Sequence, residues 1–228
     1  MAPPRSAFGT PPQGGAAGGP AEPDPRRPLE LVERPVQLHG SALARGLLRA
    51  AGWRVVFDGL PAAQGVAIVY PHTSNWDFVV GILAKWAIGI PVTFWGKDSL
   101  FRVPLFGPWL RWLGGVPVDR KNASGIVGQM ADALTQARSE GRFLWLALAP
   151  EGTRSHGEGW RSGFYHVTTA AQVPLALVFL DYARREVGFR RFLQLSGDPA
   201  ADMAAIAQGF GAFQGRRPQL AAPIRFKP

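Results

Sequence analysis

The apolar run from Phe143 to Ala149 constrains the fold more than any other stretch of this chain. It is far too short to cross a membrane, and no polar residue alternates with the apolar ones. It therefore reads as a central strand buried on both faces. Strands of that kind belong to parallel sheets, whose crossover connections lay helices over the sheet. Flanking patterns agree. Trp53 to Asp58 and Val66 to Tyr70 are β-rich runs separated by a turn at Gly59 and Pro61. A helix is expected from about Trp76 to Ile88, then a strand from Pro91 to Trp95 and a short one at Val116 to Val118.

Ser124 opens a helix that places Ile126, Val127, Met130, Leu134 and Ala137 on one side and stops at Gly141. Gly163 to Ala171 reads as a helix leading into a strand at Leu175 to Leu180. Glu186 to Leu195 is expected as an edge strand, and Pro199 to Phe213 as a last helix with Asp198 as its N-cap. Strand and helix alternate, so the expected fold is α/β: a single domain with a largely parallel sheet flanked by helices. In such sheets ligands gather in loops past the carboxyl ends of strands. Two polar blocks fall there, His72 to Asp77 and Glu151 to Ser155.

A chain of 228 residues suits one such domain. Residues 1–28 hold eight Pro, five Gly and no apolar core segment, so they are expected to be a disordered tail ahead of a domain spanning 29–228. The chain has no cysteine, which removes thiolate nucleophiles, disulfides and Cys-ligated zinc together. Net charge is +9, which draws a folded domain toward polyanions. Eight Trp and fourteen Phe tilt that attraction toward an anionic membrane surface rather than nucleic acid, for which no signature is present. Phe78 to Gly96 resembles a membrane span, but Lys85 and Pro91 interrupt it, so it is expected as a buried helix followed by a strand. The protein is expected to be cytoplasmic and at most peripheral on the membrane. Ser41 to Gly52 reads as a short helix with Leu43, Leu47 and Leu48 on one face and Arg45 and Arg49 away from it. That is either an ordinary amphipathic helix or an interfacial one.

Pro71-His-Thr-Ser-Asn-Trp-Asp77 admits two readings. Ser74 followed three residues later by Asp77 resembles a capping box, which would make His72 incidental. Alternatively Asp77, in the first helical turn, folds back to His72 Nδ1 and leaves Nε2 to take a proton from a hydroxyl. In Pro150-Glu-Gly-Thr-Arg-Ser155, Arg154 at a loop apex suits a phosphate or carboxylate, but taken alone the block is better read as a turn whose Glu151 and Arg154 pair with each other or with solvent. Gly96 to Arg120 is bracketed by Lys97 and Arg120, either of which is placed to contact an anion or simply to be solvated.

In combination these blocks resemble, in order and rough spacing, the motifs of the glycerolipid acyltransferases, especially the 1-acylglycerol-3-phosphate acyltransferases. The family's His-four-residues-Asp block matches His72 to Asp77. Its second block matches Lys97, Pro104, Gly107, Gly115 and Arg120, and its Glu-Gly-Thr-Arg block is intact at Glu151 to Arg154. Its Val-Pro block matches Val173 to Val178. The chain departs from the pattern at Pro71, Ser99 and Leu177. The resemblance covers about Val55 to Leu180.

The resemblance implies an O-acyltransferase with His72 as general base and Asp77 as its partner. The acceptor's hydroxyl would attack the thioester of acyl-CoA or acyl carrier protein, and no metal or other cofactor would be needed. Lys97, Arg120 and Arg154 would hold the phosphate of a lyso-phospholipid acceptor, with Glu151, Gly152 and Thr153 shaping the loop. His39, His72, His156 and His166 show no ligand-type spacing, and His156 and His166 are expected at the surface. Within the class, the alternative acceptor is a lyso-ornithine lipid or glycolipid. Outside it, the alternatives are a non-catalytic lipid-binding protein and a hydrolase.

Overall fold

A computed structural model of the chain describes residues 27–118 and 123–228. Its strands are β1 (Leu29–Glu30), β2 (Arg54–Val56), β3 (Gln64–Tyr70), β4 (Val92–Lys97), β5 (Gly115–Val118), β6 (Leu144–Leu148), β7 (Leu175–Asp181) and β8 (Glu186–Gln194). The helices are α1 (Ala42–Ala50), α2 (Trp76–Ile88), α3 (Asp98–Phe101), α4 (Phe106–Trp112), α5 (Ala123–Ser139), α6 (Gly163–Ala171) and α7 (Pro199–Phe210). They form one sheet in the order β1-β8-β7-β3-β6-β4-β5, with β2 also paired to β8. Pairing is parallel from β7 through β3, β6 and β4 to β5, and antiparallel where β8 meets β7 and β1. The fold is thus α/β with a largely parallel sheet flanked by helices, as the alternation of patterns requires.

Strand β6 lies between β3 and β4, with Trp145 and Leu146 fully buried on opposite faces. Leu146 joins a core formed with α5, α6 and α7, where Leu134, Phe164, Val167 and Ile206 are buried. Trp145 joins Leu60, Ile88, Ile90 and Phe192 on the other face. The face of α5 that carries Val127, Met130 and Leu134 packs inward as the spacing requires. Asp198 caps α7 by accepting from the N–H groups of Ala200 and Ala201.

Several expectations are corrected. β8 is not an edge strand: it is flanked by β7 on one side and by β1 and β2 on the other. Two short segments far away in sequence cover its outer edge: β2, within the β-rich run Trp53 to Asp58, and β1, which is only two residues long. Between β4 and β5 the chain folds into two short helices, α3 and α4. Gly107 makes that possible, because a side chain there would collide with the Phe101 carbonyl oxygen, 2.1 Å from where a Cβ would sit. The last helix ends at Phe210 rather than Phe213.

In α1 the buried residues are Ala44 and Leu48, while Leu43 and Leu47 face outward. Arg45 turns inward, donating to the Ala87 carbonyl at the carboxyl end of α2, where helix carbonyls lack partners and favour a cation, and to the Gly40 carbonyl just before α1. Nor is α2 simply buried: its inner side packs on the sheet, but Trp76, Val79 and Trp86 are exposed. Among the described residues no helix is long and apolar enough to cross a membrane. The expectation of a tail over residues 1–28 falls almost wholly outside the described residues.

Candidate active site

The carboxyl ends of β3 and β6 lie side by side in the sheet, and this brings the two polar blocks together. His72 follows β3, and Asp77 sits in the first turn of α2. His72 Nδ1 lies 3.3 Å from Asp77 Oδ2, with the imidazole side chain 16% exposed and the carboxylate 1% exposed. The same Asp77 Oδ2 accepts from the backbone N–H groups of Thr73 and Ser74 at 2.7 and 2.8 Å. The capping reading and the proton-transfer reading are therefore both realised by one carboxylate. Asp77 closes the turn that aims His72 and touches His72 itself.

Burial alone would raise the Asp77 pKa. Hydrogen bonds from His72, from Tyr182 and from the Ser74 N–H outweigh burial and hold the group below its ordinary carboxylate value. An ionised, fully hydrogen-bonded carboxylate on Nδ1 favours the imidazole tautomer with a free Nε2 lone pair, the arrangement a general base requires.

Glu151 stands behind the histidine rather than at the surface of the site. It is 5% exposed, and its two oxygens accept from the N–H groups of His72 (2.7 Å) and Ala222 (2.9 Å). Burial pushes its pKa up to about 7, against the two N–H donors and with a further rise from the Asp77 charge. Its position is that of a brace between the His72 loop and the carboxyl-terminal segment. Gly152, with φ of +65°, lies so close to Arg161 that a Cβ would sit 2.6 Å from Arg161 Nε, so only glycine fits this turn without strain. Arg154 hooks the first block through its Nε, which donates to the Ser74 carbonyl at 3.2 Å. Glu151 directs its two oxygens to the His72 and Ala222 N–H groups rather than to Arg154.

A cavity of ≈ 1010 Å³ opens at these groups. His72, Asp77, Lys97, Gly152, Thr153 and Arg154 all line it, whereas Arg120 lies outside the described residues. Its walls are largely apolar. Ala67, Val69, Ile82 and Val178 line it beneath α2, and Trp95, Val127, Leu148 and Phe164 line it on the α5–α6 side. His166 also reaches it, although exposed on α6, while His156 is exposed in the loop beyond Arg154. Among the described residues no group of three His, Asp or Glu side chains could hold a metal ion.

Three contributors escaped sequence reasoning. Tyr182, in the turn after β7, donates its hydroxyl to Asp77 Oδ1 at 2.7 Å, and its ring packs edge-on against Trp53 at 4.9 Å between centroids. Thr73 Oγ1 accepts from the Arg217 N–H. Tyr70, at the end of β3, donates its hydroxyl to the Ala222 carbonyl. The last two tie the carboxyl-terminal segment to the His72 loop. No spacing rule points to such contacts, because every partner is more than a hundred residues away.

The sequence profile of the acyltransferase family matches residues 54–179, which include both blocks and Lys97. The chain belongs to the acyltransferase family. Among curated relatives of this chain, the 1-acyl-sn-glycerol-3-phosphate acyltransferase of Escherichia coli (strain K12) is 32% identical over 124 residues, covering 53% of this chain and 48% of the relative. Lysophosphatidylcholine acyltransferase 1 of Rattus norvegicus is 26% identical over 147 residues, covering 60% of this chain and 26% of its own length. The chain thus spans about half, or less, of the length of the curated relatives it matches. The crystal structure of the 1-acyl-sn-glycerophosphate (LPA) acyltransferase PlsC from Thermotoga maritima superposes with a TM-score of 0.46 at 14% identity, covering 75% of this chain and 78% of that one. Tyr182 and the carboxyl-terminal segment lie beyond the region that the family profile matches.

Proposed function

We propose that this acyltransferase moves a fatty-acyl group from acyl-CoA or acyl carrier protein to the free hydroxyl of a lyso-phospholipid, 1-acylglycerol-3-phosphate foremost, at an anionic membrane surface. The observation that carries the reading is the buried Asp77 carboxylate on His72 Nδ1, at the mouth of a largely apolar cavity that Arg154 and Lys97 also line. His72 Nε2 takes the acceptor's hydroxyl proton as the oxygen attacks the thioester carbonyl. The new C–O bond forms, the C–S bond breaks, and the imidazolium returns its proton to the departing thiolate. The acceptor ester and the free thiol are the products. Asp77 keeps the tautomer and stabilises the imidazolium while it exists.

No covalent enzyme intermediate is required, since the acceptor supplies the nucleophile that a serine supplies in a triad. Arg154 offers a planar guanidinium to the acceptor phosphate, and Lys97 adds a point charge. The apolar walls take acyl chain. The test is an acceptor screen with purified full-length chain and radiolabelled acyl-CoA, run in parallel with acyl carrier protein thioester. Labelled phosphatidic acid from 1-acylglycerol-3-phosphate is the expected product. Transfer confined to phosphate-free acceptors would reassign the basic residues, and thioester loss with no acceptor dependence would make the chain a hydrolase.

A further inference from the structure

The outward side of α2 is apolar, where a helix on a water-facing surface carries charge. Trp76, Val79, Leu83 and Trp86 recur on it at helical spacing, and Trp76, Val79 and Trp86 are 55%, 43% and 37% exposed. The face continues onto α4. The ring centroids of Trp112 and Trp86 are 6.2 Å apart, and those of Trp109 and Phe78 are 6.3 Å apart. Leu105, in the turn before α4, is 89% exposed. On the far side of α2, Leu43 and Leu47 of α1 border a groove shared with Leu83 and Trp86. Single exposed apolar side chains need no explanation, but a contiguous set of this extent marks a surface that is covered in use.

Two observations say what covers it. Phe78, Leu100 and Phe106 line the cavity from this side, and Phe78 and Phe106 each pack on the exposed Trp109. The apolar face and the cavity therefore share a wall. Charge points the same way. Arg49 of α1 and Arg111 of α4 are exposed on these helices, and neither of the two acids there answers them. Asp77 is buried and Asp98 is paired with Arg102. A second copy of the chain on this face would bring the same cations against themselves, whereas an anionic lipid surface neutralises them. Four exposed tryptophans suit the depth of lipid headgroups.

We propose that the face built from α1, the outer side of α2, and α4 docks on an anionic phospholipid bilayer, with the cavity wall at Phe78, Phe106 and Trp109 turned toward the lipid. This rests on the acyltransferase reading only for its purpose, since the docking itself is measured without catalysis.

The test uses the full chain with phosphatidylcholine vesicles prepared with and without phosphatidylglycerol, at low and high salt. Cosedimentation is read for the wild type, Leu105→Asp and Leu43→Asp. Both leucines are mostly exposed, so neither change empties the core. Each substitution should weaken binding to anionic vesicles about tenfold. Turnover of a long-chain acceptor embedded in vesicles should fall with it, while turnover of a short-chain acceptor dispersed as monomers stays within about twofold of the wild type. Unchanged vesicle binding by the double variant would overturn the proposal. So would wild-type self-association, seen by sedimentation velocity and abolished by Leu105→Asp, with no vesicle binding. Salt-sensitive binding lost in the variants, from a chain that transfers to no acceptor, would leave the docking face standing and remove the acyltransferase reading instead.

Discussion

The Tyr182 hydroxyl donates a 2.7 Å hydrogen bond to Asp77 Oδ1, joining residues 105 positions apart in the chain. Asp77 Oδ2 meets His72, so the tyrosine holds the carboxylate from the side opposite the imidazole. Burial, followed by the Asp77 contact, pushes the Tyr182 pKa far above its ordinary value, so it remains a donor at every working pH. Tyr182→Phe should lower kcat about tenfold and change KM little, the cost of losing one hydrogen bond to a charged group. Unaltered kcat in a folded Tyr182→Phe protein would limit the tyrosine to packing against Trp53.

His72 and Asp77 act as one proton-transfer unit in the proposed reaction. His72→Ala should reduce turnover about a hundredfold or more with the fold intact, and Asp77→Asn nearly as much. The double variant should be little worse than either single one, because groups acting as a unit are not additive. Asp77 also closes the Thr73–Ser74 turn, so circular dichroism and a urea midpoint accompany each rate. Near-normal transfer by folded His72→Ala would falsify the mechanism.

Arg154 touches the Ser74 carbonyl through Nε and lines the cavity. Arg154→Lys replaces a planar fork by a single ammonium, so the acceptor KM should rise about tenfold while the donor KM moves much less. Equal movement of both constants would place Arg154 on the donor side or in a purely structural role.

Glu151 makes stability depend on pH. Its folded pKa is raised from 4.5 to about 7, so the folded state binds the proton more tightly than the unfolded chain does. The associated stability is fully present below about pH 4.5, declines as pH rises, and is lost above about pH 7. Relative to Glu151→Gln, which cannot titrate, the wild type should lose up to about 3 kcal/mol between pH 4.5 and pH 7. Urea unfolding of both proteins at pH 5 and pH 8 measures it, and equal slopes would show that the two N–H donors keep Glu151 ionised throughout.

What the sequence determined by itself is what depends on neighbours along the chain. Periodicity and capping residues located α2 and α6 from end to end and every parallel strand to within a few residues. The His72–Asp77 contact was legible too, because a residue just before a helix and one in its first turn are close wherever that helix sits. The amphipathic pattern of α1 misled for a related reason. Helical spacing groups Leu43, Leu47 and Leu48 but cannot say which side the rest of the molecule covers. Packing against α2 chose Ala44 and Leu48 instead. Only the tertiary structure decided that β6 and β7 both flank β3, and hence that the loops after all three strands converge. That pairing placed Glu151 under His72, Tyr182 on Asp77 and the carboxyl-terminal segment behind both. Contacts of this kind come from closing long loops around a shared core, and their partners carry no common local pattern. A sequence read in short windows registers each residue type but not the meeting.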